Sequence, residues 1–264
     1  MNGSETIKEE AKLLGERIFS DKPERIPAFV ERLTNICEQV EDKDILIIHN
    51  PGGWGSSHLE DLLQWERSIV EGVSCTMDSL GYKQTLMQYF RSKTGWRAVL
   101  GDIREQGRFF RNKARLMAEE LNFIAEHFKN LQILIVGVSQ GAAFSNAVIQ
   151  NLNGLSRVSS VELGTPFYYK SKRVISDRTL VLDSNGLMPD ALMEWDVPTI
   201  VKTYLGAPFR WLKYRLQGKK VRFTLCINVP GHDYNWEYPE VQTKVEEFLK
   251  VKYGNNREKE VDAR

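Results

Sequence analysis

Two hydrophobic periods alternate along this chain. Short stretches rich in β-branched residues, at 45–48, 133–136, 158–163, 179–182 and 221–229, read as buried strands. Residues 73–77 predict one more. Between them, apolar residues recur at helical spacing. Phe29, Leu33, Ile36, Cys37 and Val40 form one face behind Pro27. Phe110, Ala114, Met117, Leu121, Ile124 and Phe128 form the longest stripe, with Arg104, Arg108, Arg111, Lys113 and Arg115 crowding its start as a solvated face. Residues 57–70 also read as helical, and Val241, Val245, Phe248 and Leu249 mark a closing helix over 239–251. Strands alternating with helices predict an α/β protein with a doubly wound, mostly parallel sheet. Residues 1–43 read as a helical segment packed on the core, led by a polar arm with Leu13, Leu14, Ile18 and Phe19. Residues 44–252 read as the main domain, 187–218 as a small cap-like insertion, and 253–264 as a charged tail. The stretch 81–97 is aromatic and basic and has no clear period.

Composition changes this picture little. The chain has 264 residues, of which 42% are hydrophobic and 27% charged, which suits one large globular domain. A formal net charge of +1 supplies no electrostatic footprint for nucleic acid. No apolar run approaches the roughly 18 residues that a spanning helix needs. Cys37, Cys75 and Cys226 lie far apart without metal-ligand spacing, and each reads as a small core side chain. The first residues lack the apolar core of a secretory signal, so a cytoplasmic setting is expected. Neither metal nor cofactor is expected.

The candidate chemistry centres on residues 131–150, LQILIVGVSQGAAFSNAVIQ. An apolar strand runs into Gly137-Val138-Ser139-Gln140-Gly141, and Ala142, Ala143, Phe144, Ala147 and Val148 open a helix. Strand, Gly-x-Ser-x-Gly, helix is the nucleophile-elbow pattern. The turn is too tight for side chains at Gly137 and Gly141, and the apex residue is strained with its side chain pushed outward. The bare motif is expected by chance about 0.1 times in a chain this long, so its strand and helix context carries the signal. Ser139 is thus the candidate nucleophile, and the backbone N–H of Gln140, at a helix N-terminus, a candidate oxyanion donor.

After the first strand comes His49-Asn50-Pro51-Gly52-Gly53-Trp54-Gly55. This glycine loop leaves backbone N–H groups at the sheet edge where α/β proteins bind ligands. The N–H of Gly53 or Trp54 is the expected second oxyanion donor. A serine needs an adjacent general base. Of the four histidines, His49 belongs to the glycine loop, and His58 and His127 lie near helix ends. His232 alone follows the final predicted strand, in Pro-Gly-His-Asp. In the order Ser–Asp–His, the acid falls between. Asp183, at the end of the penultimate strand, fits from position; Asp190, after Pro189, is the alternative.

With these residues in place the chain resembles an α/β-hydrolase. HNPGGWG, GVSQG, VLDSN and VPGHDYNWEYPEVQTKVEEFL stand in that family's order from about Asp44 to Val251. Two leading antiparallel strands and a large cap domain are not visible. The resemblance implies a serine hydrolase that cleaves a carboxylic ester or thioester through an acyl-enzyme, with a small-molecule acyl substrate and no cofactor. The alternative is a catalytically silent relative that binds a small ligand or a partner. The segment 205–220, LGAPFRWLKYRLQGKK, mixes aromatic and basic residues, with Pro208 as its expected helix start. It reads as a cap over the site, with weak membrane-surface contact as the second reading.

Overall fold

The computed structural model describes residues 3–92, 101, 104–152, 154–219, 221 and 223–254. Five strands, β1 (Ile45–Asn50), β2 (Gln84–Gln88), β3 (Gln132–Val138), β4 (Val158–Leu163) and β5 (Thr179–Leu182), form one sheet. All four pairings are parallel and the order is β2-β1-β3-β4-β5. Seven α-helices accompany it among the described residues: α1 (Gly3–Ile18), α2 (Ile26–Val40), α3 (Gln64–Ser79), α4 (Arg111–His127), α5 (Gln140–Asn151), α6 (Val197–Leu216) and α7 (Pro239–Leu249).

Strand alternation divides the core in two. Leu46, Ile48, Ile133 and Ile135 point to one face, where they meet α1, α2, α4 and α5. Ile45, Ile47, Leu134 and Val136 point to the other, where Ile69, Val73 and Met77 of α3 and Val241, Val245 and Leu249 of α7 cover them. Burial on both faces explains why these strands read as unbroken apolar runs. The chain leaves β1 toward β2 on one side and continues from β3 to β4 and β5 on the other. The strand order therefore reverses between β1 and β3, and the crevice outside that point is where open α/β sheets bind ligands.

Several sequence expectations are corrected. Residues 73–77 lie inside α3 rather than in a strand. Ile69, Val73 and Met77 are four apart and share the buried helical face. The second strand is β2, QTLMQ, an edge strand half-buried along its length and too polar to stand out. No strand forms among the described residues of 221–229, where Phe223–Cys226 is a short 3-10 turn. Side chains of α6 occupy carbonyls that a ladder would need: Arg210 Nε donates to Cys226 O at 2.8 Å and Trp211 Nε1 to Val221 O at 3.2 Å. Pro208 sits inside α6 instead of starting it. Cys75 is exposed. Tyr253, read as tail, is buried and bonds to Ser159, and its carbonyl accepts from Tyr82 Oη at 3.0 Å. Residues 255–264 and 93–97 of the unassigned aromatic stretch lie outside the described residues.

Candidate active site

The elbow is built by close backbone approach. Ser139 joins β3 to α5 with φ 54° and ψ −119°, a conformation L-residues avoid. Two contacts account for its glycines. A Cβ on Gly137 would lie 2.6 Å from Gly141 O and 2.8 Å from Ala142 Cα. A Cβ on Gly141 would run into Asn50 O, at the end of β1. The elbow is thus wedged against the start of the glycine loop, at the point of strand-order reversal. Asn50 Nδ2 donates to Ser145 Oγ at 2.8 Å, and Ser145 Oγ donates to Gly141 O at 2.8 Å, which ties loop, elbow and helix together.

Gln140 is the first residue of α5, so its N–H has no intrahelical acceptor. Its side-chain Oε1 accepts from Gln106 Nε2 at 2.6 Å. In the glycine loop, Gly52 N–H donates to Glu66 Oε1 at 2.8 Å and Gly55 N–H to Gly52 O at 3.1 Å. Arg91, nearly inaccessible, donates to Pro51 O and Gly53 O, both at 2.7 Å. Its guanidinium lies 5.6 Å from the ring centroids of both Phe110 and Phe144. Among the described residues, the N–H groups of Gly53 and Trp54 have no acceptor. The loop's carbonyls are therefore held back while two donors remain at the sheet edge.

His232 occupies a turn in which its N–H donates to Val229 O. Its Nδ1 lies 2.7 Å from Oδ2 of Asp190. That contact fixes the proton on Nδ1 and leaves Nε2 as the basic nitrogen. Asp190 is fully buried, and both of its oxygens are engaged. Oδ2 also accepts from Tyr234 Oη at 2.8 Å, and Oδ1 accepts from the N–H groups of Leu192 and Met193. Burial, and then the Asp190 charge, push the Tyr234 hydroxyl well above its ordinary range, so it stays a donor. The two loops are clasped through their backbones. Ala191 N–H donates to Pro230 O at 3.1 Å. Gly231 has φ +76°, and a Cβ there would strike Pro189 O and lie 2.8 Å from Asp190 Cα.

Ser139, at the end of β3, and His232, on a loop packed over Gly164 just past β4, come to one edge of the sheet. Ser139 N–H donates to Leu163 O at 2.7 Å, and Gly164 N–H to Leu182 O at 2.9 Å. His232 lies over Gly164, where an added Cβ would fall 3.0 Å from His232 Cε1. Trp65 and Tyr234 frame the imidazole edge-on, with centroids at 6.5 and 6.2 Å. Among the described residues no hydrogen bond joins the Ser139 hydroxyl to His232. Such bonds are commonly loose without substrate and tighten when it binds.

Asp183, the first-choice acid from sequence, is engaged elsewhere. Arg173 grips it with two bonds, Nη1 to Oδ1 at 2.7 Å and Nη2 to Oδ2 at 2.8 Å. The sequence alternative, Asp190, is the carboxylate on His232. Of the other histidines, His49 is buried between Gln88 and Glu66, His58 lies against Phe90, and His127 pairs with Glu10. Arg91, Glu66, Gln106, Trp65 and Tyr234 were not singled out from the sequence. A faint signal existed for Tyr234, two residues beyond the candidate base and thus on the same loop.

No protein-family profile matches this chain, and no curated protein is similar to it in sequence. Among solved structures it is similar to a Trichoderma reesei cutinase in complex with a C11Y4 phosphonate inhibitor. That comparison covers 94% of this chain and 93% of the other at 13% identity, with a TM-score of 0.47.

Proposed function

We propose that the protein is a serine hydrolase of the α/β-hydrolase type, acting on a carboxylic ester or thioester. Ser139 is the nucleophile, His232 the general base and Asp190 the acid that orients it. One observation carries the reading: His232 Nδ1 stands against a buried Asp190 carboxylate, at the strand edge that also bears Ser139 in a strained elbow.

Ser139 Oγ attacks the carbonyl carbon as its proton passes to His232 Nε2. Asp190 stabilises the imidazolium that forms. Negative charge develops on the former carbonyl oxygen, and the N–H of Gln140 with that of Gly53 or Trp54 receives it. The tetrahedral intermediate collapses to the acyl-enzyme, and the leaving oxygen or sulfur takes the proton from Nε2. Water then repeats the sequence, losing its proton to Nε2 and returning Ser139. Every proton in this cycle is carried by His232. The rival reading, a silent ligand binder, rests on the divided choice of acid between Asp183 and Asp190, and the contact of Asp190 with His232 Nδ1 favours the hydrolase.

The test is a panel of p-nitrophenyl esters of graded chain length, with wild type and Ser139→Ala. Hydrolysis by wild type, lost in a variant of unchanged melting temperature, is expected. Equal turnover by both proteins would end the proposal.

A further inference from the structure

Helix α6 is amphipathic the wrong way round for a helix packed on a core. Only Thr203 and Ala207 are buried along its 20 residues. At 3.6 residues per turn, Val201, Leu205, Phe209, Leu212 and Leu216 fall together on the side opposite that buried pair. They are open to solvent: Leu205 is 68% exposed, Phe209 76% and Leu216 81%. Isolated exposed apolar residues need no explanation, but a continuous stripe marks a surface that something covers.

The charges around the stripe identify the cover. Helix α6 carries Lys202, Arg210, Lys213 and Arg215 and no acidic residue. Arg210 turns inward, donating to Thr203 O and Cys226 O. The other three are exposed. Lys202 and Lys213 flank one margin of the stripe, and Arg215 lies along the other, its guanidinium 4.9 Å from the Trp211 ring centroid. Lys219, just past the C-terminus, adds a further exposed cation. An apolar stripe bordered on both sides by long cationic side chains suits the boundary between acyl chains and anionic headgroups, where those side chains reach outward to the phosphates. A second copy of the chain would bring these cations together instead. Among the described residues no helix is long and apolar enough to cross a membrane, so α6 would lie on the surface.

We propose that α6 docks the protein onto anionic membrane surfaces through this stripe and its cationic margins. The proposal is independent of the hydrolase reading, and its readout needs no catalysis. The experiment is co-sedimentation with vesicles of phosphatidylcholine containing about 30 mol% phosphatidylglycerol, against pure phosphatidylcholine, at low and physiological salt. Two variants accompany wild type. One is Leu205→Ser with Phe209→Ser, Leu212→Ser and Leu216→Ser; the other is Lys202→Gln with Lys213→Gln and Arg215→Gln. Wild type should bind the anionic vesicles at least about tenfold more tightly than the neutral ones. Each cation contributes about a fivefold factor near such a surface, so the triple charge variant should bind about a hundredfold more weakly. The stripe variant should lose binding to both vesicles. Absence of wild-type binding at low salt, or binding that neither variant alters, overturns the proposal. So does a wild-type dimer in sedimentation equilibrium that the stripe variant converts to monomer.

Discussion

His232 Nδ1 and Asp190 Oδ2 are 2.7 Å apart, and the carboxylate in that pair is fully buried. A buried carboxylate with both oxygens engaged has one orientation, so it holds the imidazole in one tautomer. Replacing it with an amide inverts that preference while leaving the shape unchanged. In a serine protease, loss of the orienting acid costs about 10⁴ in kcat. Asp190→Asn is therefore expected to lower kcat by about 10² to 10⁴ at neutral pH. Asp183→Asn should change it less than about tenfold, because that residue's partner is Arg173. Steady-state kinetics of both variants on one ester decide, and the opposite ranking would return the acid to Asp183.

The clasp between the two loops gives a second expectation. Gly231→Ala places a methyl group against backbone at Pro189 and Asp190, and at φ +76°. These are the segments that carry His232 and Asp190, so relieving the clash by moving them apart lengthens the His232–Asp190 contact. Activity should fall at least about tenfold while the far-ultraviolet circular dichroism is retained. Unchanged kinetics would mean that the clasp does not position the pair.

Arg91 offers a test of the oxyanion role proposed for the glycine loop. Its two bonds occupy the Pro51 and Gly53 carbonyls and so fix the backbone that carries the Gly53 and Trp54 N–H groups. Lysine keeps the charge but lacks the planar fork. For Arg91→Lys, kcat should drop about 10- to 100-fold with KM changed less than about threefold. A rise in KM alone would assign the loop to ground-state binding.

Glu162 on β4 links the sheet to pH. Burial pushes its carboxyl up to about 8, against weaker opposing effects of Ser160, Asn146 and Arg173, while nearby Asp183 adds to the rise. Folded Glu162 therefore keeps its proton up to about pH 8, whereas the unfolded chain releases it near 4.5. Its stabilising contribution is complete below the lower value and is lost as pH rises through the upper one. Wild type should lose stability between about pH 5 and 8 with a slope of up to about 1.4 kcal/mol per pH unit from this group, and Glu162→Gln should lack that component. Urea unfolding of both proteins across this range measures it. Parallel stability curves would contradict the buried, protonated state.

The sequence displays the local parts of this architecture and hides the rest. Ser139 was legible because its constraint is short-range: Gly137 and Gly141 are forced by the turn that carries it. His232 stands out for its place after a last strand expected at 221–229, which does not form among the described residues. The choice of acid was not, because it depends on Arg173, ten residues before Asp183, and on a turn at 190–193 that Asp190 itself caps. Both contacts arise only when the sheet edge is assembled. The same limit hid Arg91, whose partners lie 40 residues earlier at Pro51. Strand β2 escaped because an edge strand needs no apolar run, and 221–229 misled because α6 side chains take the carbonyls of Val221 and Cys226, and Phe223–Cys226 is a 3-10 turn.

The most direct measurement is reaction of the protein with a fluorophosphonate, followed by intact mass and peptide mapping. Such probes phosphonylate a serine only when a base activates it. One adduct per chain, located on Ser139, absent from Ser139→Ala and formed much more slowly in Asp190→Asn, is the predicted result. An unlabelled wild type, or an adduct elsewhere that survives Ser139→Ala, would contradict the assignment of Ser139 as an activated nucleophile.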